Sequence, residues 1–218
     1  MIPGKPTSGK LITLEGGEGA GKSTVLESVR DLLVQHGIGV VITREPGGTP
    51  VGEAVRNVLL DPALRGMCAE TELLLMFASR AQLVREVVRP ALASGRWVLA
   101  DRFTDASFAY QGGGRGQPNA RIAELERWAA DDMQPDLTLL LDLPVAEGLQ
   151  RANGRSAADR IELENAEFFE RVRAAYRVRA QTQPLRFRLI DASRPLNEVL
   201  DQVRETLGAF LESCRVRT

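Results

Sequence analysis

The sequence predicts an α/β fold of three layers, in which helices cover both faces of a five-stranded parallel sheet. Short apolar runs alternate with long amphipathic segments along the chain, which is typical of repeated βαβ units. The chain has 218 residues, of which 44% are apolar and 26% are charged. That length is enough for the core of one large domain, and that composition is near the average for globular proteins.

The strands and helices are placed by hydrophobic periodicity. The predicted strands are Leu11–Glu15, Val40–Thr43, Trp97–Asp101, Leu137–Leu143 and Arg188–Asp191. The predicted helices run from Gly21 to about His36, from Glu70 to Ser94 with a break near Pro90, from near Val145, and over Asn119–Asp132, Asn165–Gln183 and Leu196–Cys214. Residues 1–10 contain two prolines and two glycines, so we expect a disordered leader there and a single domain over residues 11–218.

Charge and residue counts exclude several classes of protein. The formal charge is −1 with acidic and basic residues interspersed, so no broad cationic surface for a nucleic acid is expected. No apolar run reaches the roughly 18–20 residues that span a bilayer, so no membrane partner is expected. His36 is the only histidine, which excludes a histidine-based triad or a multi-histidine metal site. Two cysteines far apart in sequence, Cys68 and Cys214, favour reduced thiols and a cytoplasmic location.

A glycine-rich segment at Gly16–Ser23 matches the pattern G-x-x-x-x-G-K-[ST] of the phosphate-binding loop in P-loop NTPases. The apolar strand LITLE precedes it and a helix follows, as the motif requires; a mere tight turn would not need Lys22 and Ser23 after the last glycine. We expect Lys22 to reach the β- and γ-phosphates of ATP and Ser23 to bind Mg²⁺. The predicted nucleotide contacts are Gly16, Gly17, Glu18, Gly19, Ala20, Gly21, Lys22, Ser23 and Thr24.

The remaining motifs favour a small-molecule kinase over other users of nucleoside triphosphates. No Asn-Lys-x-Asp stretch is present, which disfavours a regulatory GTPase. Asp101 and Arg102 follow the apolar strand WVLA, so the carboxylate can act on Mg²⁺ and the guanidinium can bind an acceptor phosphate. The alternative for this pair is a surface ion pair.

The polar segment of about residues 151–162 is predicted to be a lid. It contains Arg151, Arg155 and Arg160, and lid closure would bring arginine to the γ-phosphate. A solvated charged loop is the alternative interpretation.

Five longer motifs follow one another along the chain. They are LEGGEGAGKST at Leu14–Thr24, TREPGGTP at Thr43–Pro50, LLLMFASRAQ at Leu73–Gln82, DRFTDASFAYQGGGRG at Asp101–Gly116 and PDLTLLLDLP at Pro135–Pro144, and DRIE follows at Asp159–Glu162. In this order they resemble the motifs of the bacterial thymidylate kinases, which belong to the nucleoside-monophosphate kinase group of P-loop folds. The resemblance covers nearly the whole chain after the leader.

This resemblance implies roles for residues at the acceptor. Glu18 would approach the deoxyribose 3′-hydroxyl and the transferring phosphate, and Arg102 would bind the acceptor phosphate. Arg80 would donate to the edge of the thymine ring. The ring would be covered by Phe77, three residues before Arg80, or by Met76, four before it; both lie on a shared helix face with Arg80.

The resemblance also implies contacts with the sugar, the base and the lid. Tyr110 would lie against C2′ of the sugar and exclude a ribose hydroxyl, and Ser107 and Gln111 would be polar base contacts. Ala106 replaces a serine common in relatives. Arg155 would supply the lid cation, since Glu18 and Ala20 leave no arginine inside the phosphate loop. Glu45 and Pro46, after the second strand, would also line the crevice.

The expected activity is phosphorylation of dTMP to dTDP by ATP with Mg²⁺, in a homodimer. The alternatives are a deoxynucleoside kinase, whose neutral hydroxyl acceptor would need a carboxylate base, and a nucleotide-binding regulatory ATPase that acts by changing shape.

Overall fold

The computed structural model of the protein describes residues 9–152 and 158–216. The strands are β1 Leu11–Gly16, β2 Val40–Arg44, β3 Trp97–Asp101, β4 Leu137–Asp142 and β5 Phe187–Asp191. They form one parallel sheet in the order β2-β3-β1-β4-β5, with helices on both faces. This confirms the predicted fold class, and each strand boundary lies within one residue of its prediction.

The helices are α1 Lys22–Gln35, α2 Pro50–Leu60, α3 Ala69–Leu83, α4 Arg89–Ala93, α5 Thr104–Ser107, α6 Asn119–Ala130, α7 Val145–Ala152, α8 Ala166–Thr182 and α9 Leu196–Val216. A wide π-helical turn, Val84–Val88, joins α3 to α4, and a second, Phe108–Gly114, extends α5. The first wide turn precedes Pro90, whose nitrogen cannot donate to the carbonyl four residues earlier, so the predicted long helix is interrupted there.

β1 is the central strand, and all six of its residues are buried. Such a near-continuous apolar run is typical of a strand covered on both faces of a parallel sheet. Its register aligns Leu11 with Val98 of β3 and Ile12 with Leu137 of β4. The hydroxyls of Thr13 and Thr138 are 2.9 Å apart, so the polar groups in the strand centre bond each other.

Alternate residues of the strands face two separate layers of helices. Ile12 and Leu14 pack with residues of α1 and α9 on one face. On the other face, Leu11 packs with the end of α3 and the turn that follows, and Leu140 packs with α8.

Two helices were not predicted from the sequence. α2 begins at Pro50 after Thr49, whose side chain accepts from the N–H of Gly52 at 3.0 Å. Thr followed by Pro is an N-cap and first-turn signal that the sequence carries. The other is α5 with its wide turn, which contains three consecutive glycines at Gly112–Gly114, residues that disfavour a helix.

Residues 9 and 10, at the end of the expected leader, contact the rest of the domain. The N–H of Gly9 donates to the carbonyl of Leu92 at 3.0 Å, and Lys10 forms an ion pair with Asp136 at 2.9 Å. The expected leader therefore does not include these two residues, and residues 1–8 lie outside the described part. Among the described residues, no helix combines the length and apolar character needed to cross a membrane.

The strand order puts β1 between β3 and β4, so the chain leaves β1 toward one edge of the sheet and later returns to its other side. Ligands of such sheets bind at the carboxyl ends of the strands near this switch point. The loops after β1, β2, β3 and β4 line that crevice.

Candidate active site

The loop between β1 and α1 has the form of a phosphate-binding loop. Gly19 has a φ of +70°, and a Cβ atom built on it would lie 2.0 Å from the carbonyl oxygen of Gly148, so no larger residue fits. Nζ of Lys22 donates to the carbonyl oxygens of Gly16 at 3.1 Å and Gly17 at 2.9 Å. The ammonium group is thereby held at the mouth of the loop, beside the amino end of α1, where anions are favoured.

Ser23 and Asp101 line one open cleft beside this loop. Oδ1 of Asp101 is buried and has no hydrogen-bond partner among the described residues, and Nη1 of Arg102 is 3.9 Å away. A carboxylate oxygen and a nearby hydroxyl are ligands that Mg²⁺ accepts when phosphate oxygens and water complete its shell. Within residues 9–152 and 158–216, no cluster of three or more acidic, histidine or cysteine side chains is arranged for a metal.

Glu18, Arg102 and Tyr110 form a triangle that joins the phosphate loop to the end of β3. Oε1 of Glu18 accepts hydrogen bonds from Nη2 of Arg102 and from the Tyr110 hydroxyl, both at 2.8 Å. Burial alone raises the pKa of Glu18, but the cations of Arg102 and Lys22 outweigh it and lower that pKa to about 2. Glu18 is therefore ionised at neutral pH, and it orients a guanidinium that remains 20% exposed to the crevice.

The backbone of Arg102 is left-handed, with a φ of +69°, a conformation that costs a non-glycine residue about 1 kcal/mol or more. Its N–H donates to the carbonyl of Leu14 at 3.0 Å, and the next N–H, of Phe103, donates to Oε1 of Glu15 at 2.8 Å. Oε2 of the buried Glu15 accepts from the Tyr176 hydroxyl at 2.7 Å. Leu14 and Glu15, consecutive residues of β1, thus hold the strained turn that directs Arg102 toward the crevice.

A cavity of about 670 Å³, measured with its open mouth, adjoins the triangle. That volume suits a small-molecule ligand of nucleotide size. The predicted acceptor residues that line it are Glu18, Glu45, Pro46, Arg80, Arg102, Ser107, Tyr110 and Gln111. The rest of the wall consists of Arg56, Leu60, Met76, Ala106, Asp159, Ile161 and Glu162.

Arg80 is buried in the cavity wall, with 1% of its surface exposed. Nε donates to Oε2 of Glu45 at 2.7 Å, Nη1 to Oγ of Ser107 at 2.9 Å, and Nη2 to the carbonyl of Phe103 at 3.1 Å. Nη2 is also 2.6 Å from Oε2 of Glu45. These partners come from the ends of β2 and β3, so the guanidinium has one fixed orientation.

The structure places Met76, and not Phe77, on the cavity wall. Phe77 is 3% exposed and packs with Leu73, Phe108 and Ile122 in the core between α3 and α6. The centre of its ring lies 4.5 Å from the guanidinium carbon of Arg80. Of the two alternatives that the sequence left open, the position of Met76 on the cavity wall favours Met76 as the residue beside the base. Both positions share a face with Arg80 in a helix, so spacing could not choose between them.

Arg160 is a buried structural cation in this arrangement. Its Nε donates to the carbonyl of Leu59 at 2.7 Å and its Nη2 to Oε2 of Glu72 at 2.7 Å. The side chain is 3% exposed and does not line the crevice. The guanidinium therefore links residue 160 to α2 and α3, and its position does not support the predicted catalytic role.

Arg151 lies at the end of α7, beside the phosphate loop. Its Nη1 donates to the carbonyl of Ala192 at 2.9 Å, and it lines an open groove together with Gly21, Arg194 and Pro195. The predicted lid arginine Arg155 lies outside the described residues, as do its neighbours over 153–157.

The prediction missed three polar residues of the cavity. Arg56 of α2 donates from Nη1 to the carbonyl of Pro46 at 2.9 Å, and it follows the TREPGGTP motif by two helical turns. Asp159 and Glu162 cap one another: Oδ1 of Asp159 accepts from the N–H of Glu162 at 2.9 Å, and Oε2 of Glu162 accepts from the N–H of Asp159 at 3.1 Å. This reciprocal pattern has the spacing of a capping box, which is a signal readable from the sequence.

Comparison with known proteins finds matches over nearly the whole chain. The family model described as Thymidylate kinase matches residues 14–203. A thymidylate kinase of Pseudomonas putida is 55% identical over 208 residues, which cover 95% of this chain and 99% of that protein. That of Ectopseudomonas mendocina is 53% identical over the same coverage. A crystal structure of thymidylate kinase from Ehrlichia chaffeensis superposes with a TM-score of 0.75 at 31% identity, covering 93% of this chain and 99% of that one.

Proposed function

This chain belongs to the thymidylate kinase family, and we propose that it transfers the γ-phosphoryl group of ATP to dTMP, forming ADP and dTDP for dTTP synthesis. One observation supports the pairing of donor and acceptor most directly. The Glu18–Arg102 ion pair, at 2.8 Å, lies between the phosphate loop and the cavity. A phosphate bound at Arg102 is therefore adjacent to a triphosphate bound in the loop.

The donor is held by the loop from Gly16 to Thr24. Its backbone N–H groups and Lys22 bind the phosphates, and Ser23 and Asp101 would hold Mg²⁺. The unpartnered Oδ1 of Asp101 supports this assignment. When bound, Mg²⁺ neutralises charge on the β- and γ-phosphates during transfer. The groove at Arg151, Arg194 and Pro195 continues from the loop and is where we place the adenosine of ATP.

The acceptor lies in the cavity with its phosphate toward Arg102 and its base toward Arg80. The acceptor phosphate is already anionic at neutral pH, so no side chain has to remove a proton. Arg102 binds and orients it for in-line attack, while Glu18 keeps the guanidinium in place. Tyr110 lies beside the sugar, Met76 and Pro46 contact the base, and Ser107 and Gln111 complete its polar edge.

The lid completes the site in this proposal. Arg155 supplies a cation near the transferred group when the segment closes over the nucleotides, and Arg151 lies beside the donor at the start of that segment. We expect Arg155→Ala to lower kcat by about 10²-fold while leaving ATP affinity nearly unchanged, because the guanidinium acts in the transition state. Single-turnover kinetics with ATP and dTMP measure this effect.

We further propose that two copies form a homodimer through α3 and α6. Leu74 of α3 is 58% exposed and Trp128 of α6 is 76% exposed. An apolar groove between these helices is lined by Leu73, Leu74 and Leu125. Exposed apolar surface of this kind is typical of protein–protein contacts, and a twofold axis would bury it in both copies. The reaction is proposed to occur in the cytoplasm, where ATP and nucleoside monophosphates are available.

A coupled ADP-release assay over dTMP, dUMP, dCMP, dAMP, dGMP and thymidine tests the function. We expect dTMP to have the highest kcat/KM and Lys22→Met to lower turnover by about 10²-fold or more. A preference for thymidine would identify a deoxynucleoside kinase instead. ADP release that does not depend on any acceptor would identify a regulatory ATPase.

A further inference from the structure

Gln111 of the cavity wall is oriented by a buried carboxylate behind it. Its Nε2 donates to Oε1 of Glu72 at 3.0 Å. Both residues are 1% exposed, and Gln111 lines the acceptor cavity whereas Glu72 does not. The amide nitrogen is therefore engaged by Glu72, which leaves the amide oxygen for a ligand in the cavity.

Glu72 can only accept hydrogen bonds. Nη2 of Arg160 donates to its Oε2 at 2.7 Å, and Arg115 contacts the same carboxylate through Nε at 3.1 Å and Nη2 at 3.1 Å. Burial alone raises the pKa of Glu72, but the bonds from Arg115, Gln111 and Arg160 outweigh it, so the pKa is lowered. An ionised carboxylate has no hydrogen to donate, which allows only one of the two amide orientations of Gln111.

Gln111 and Arg80 therefore present one acceptor and one donor toward a base. In the part of the chain that the structure describes, no donor is bonded to Oε1 of Gln111. Arg80 has five N–H groups, and its bonds to Glu45, Ser107 and Phe103 leave one N–H of Nη1 for a ligand. A base whose edge offers an acceptor beside an N–H donor matches this pair.

We propose that Glu72 is a positioning residue that sets base specificity, because it turns Gln111 so that the cavity accepts the N3–H of thymine while Arg80 donates to O4. Cytosine offers the reverse pattern, an acceptor at N3 and a donor at N4. Its acceptor would face the oxygen of Gln111 and its donor would face the N–H of Arg80, so neither could form a hydrogen bond. The inference rests on the proposed function, since it assumes that dTMP occupies this cavity.

Glu72→Gln is the informative substitution because it nearly preserves shape and changes only the hydrogen-bond pattern. Oε2 of Glu72 receives Nη2 of Arg160 at 2.7 Å and Nε of Arg115 at 3.1 Å, whereas Oε1 receives only the longer, shared bond of the same Nε at 3.2 Å besides Gln111. The new amide therefore keeps its oxygen at the Oε2 position, gives up the longer bond and turns its NH₂ toward Gln111. The amide of Gln111 then has to rotate, so that its oxygen faces residue 72 and its NH₂ faces the cavity. We expect the ratio of kcat/KM for dTMP to that for dCMP to fall by about tenfold or more.

Glu164→Gln is the matched control. Glu164 pairs with Nη1 of Arg115 at the edge of the same cluster but has no contact with Gln111, so the dTMP to dCMP ratio should stay at the wild-type value. Gln111→Leu removes the acceptor directly and leaves the partners of Glu72 in place. It should lower the ratio whether or not the Glu72 variant folds, and circular dichroism checks folding in each case.

The outcomes distinguish a failure of the proposed function from a failure of the role assigned to Glu72. Wild-type protein that does not phosphorylate dTMP contradicts the proposed function itself. Wild-type preference for dTMP that persists unchanged in folded Glu72→Gln overturns the role of Glu72, as does an unchanged ratio in Gln111→Leu. A ratio that falls in Glu72→Gln, and does not fall further when Gln111→Leu is added, supports action through Gln111.

Discussion

At the scale of the residue, the site depends on a few buried or half-buried carboxylates that orient arginines. Glu18 orients Arg102, Glu45 orients Arg80, and Glu72 receives Arg160. A guanidinium held by a carboxylate loses little further conformational entropy when it binds a phosphate or a base. The ion pairs in this site therefore position the arginine side chains, and their low exposure to solvent suits this role.

Arg102→Met should lower kcat/KM for dTMP by about 10²- to 10³-fold, because the acceptor phosphate loses its charged donor. Steady-state kinetics with dTMP measure this change. The matched control is Arg30→Met, at a surface pair with Asp31 on α1, which should leave kcat/KM unchanged. Equal effects of the two substitutions would contradict a specific role for Arg102.

Glu15 gives the folded protein a dependence on pH. Burial and the neighbouring Asp105 raise its pKa from 4.5 to about 8, against the opposing bonds from Tyr176 and Phe103. Between these two values the folded form retains a proton that the unfolded form has released, so the free energy of unfolding decreases as pH rises across that window. The decrease in the free energy of unfolding is complete above about pH 8 and has not begun below pH 4.5.

Glu15→Gln should remove this dependence, since an amide does not titrate. The melting temperature of the variant relative to wild type is expected to increase as pH is raised from about 5 to about 8. Thermal unfolding followed by circular dichroism at several pH values measures it. Glu198→Gln, on the exposed surface of α9, serves as the control. A difference between Glu15→Gln and wild type that stays constant with pH would exclude Glu15 as the titrating group.

At the scale of the element, adjacent residues of α3 have different environments, since some line the cavity and others pack in the core. Met76 and Arg80 line the cavity, while Phe77 packs toward α6. Successive helical residues point about 100° apart, so neighbours in sequence reach different environments. The same helix carries Glu72 one turn before Met76, and Arg160 from the lid segment bonds to it there.

Substitutions at Met76 and Phe77 should therefore affect different properties. Met76→Ala should raise KM for dTMP by about fivefold, the factor expected for ~1 kcal/mol of lost apolar contact. Phe77→Leu should instead destabilise the fold by roughly 1 kcal/mol or more and leave KM near its wild-type value. Steady-state kinetics and denaturant unfolding distinguish these effects, and a KM change confined to Phe77→Leu would reverse the assignment.

At the scale of the whole molecule, strand order brings the parts of the site together. β1 lies between β3 and β4, so the phosphate loop, Arg102 and the start of α7 meet at one edge of the sheet. Gly19 and Gly148 are in close contact there, which places α7 directly against the phosphate loop. The donor and acceptor positions are therefore adjacent because of topology and not because of proximity in sequence.

The proposed dimer gives a prediction at the same scale. Leu74→Glu would place charges at the centre of the α3–α6 contact, so the protein should sediment as a monomer in analytical ultracentrifugation. The control is Leu185→Glu: Leu185 is 93% exposed and lies between α8 and β5, away from that contact, and its substitution should not alter the mass. A wild-type protein that is already monomeric would contradict the proposed dimer.

The sequence by itself determined the sheet, the phosphate loop and most of the residues that line the cavity. Gly16–Ser23 lies within one strand–turn–helix unit, and the cap at Asp159–Glu162 spans four residues, so their geometry depends on near neighbours in the chain. Local patterns of this kind can be read without knowledge of the tertiary fold.

Only the tertiary structure decided which side chains face the cavity and which serve as supports. Tyr176 reaches Glu15 across 161 positions of the chain, and Arg160 reaches Glu72 across 88. Whether Met76 or Phe77 faces the cavity likewise depends on the packing of α6 against α3. The physical reason is that a buried cation or ring takes the orientation that satisfies its partners, and those partners come from elements far apart in sequence.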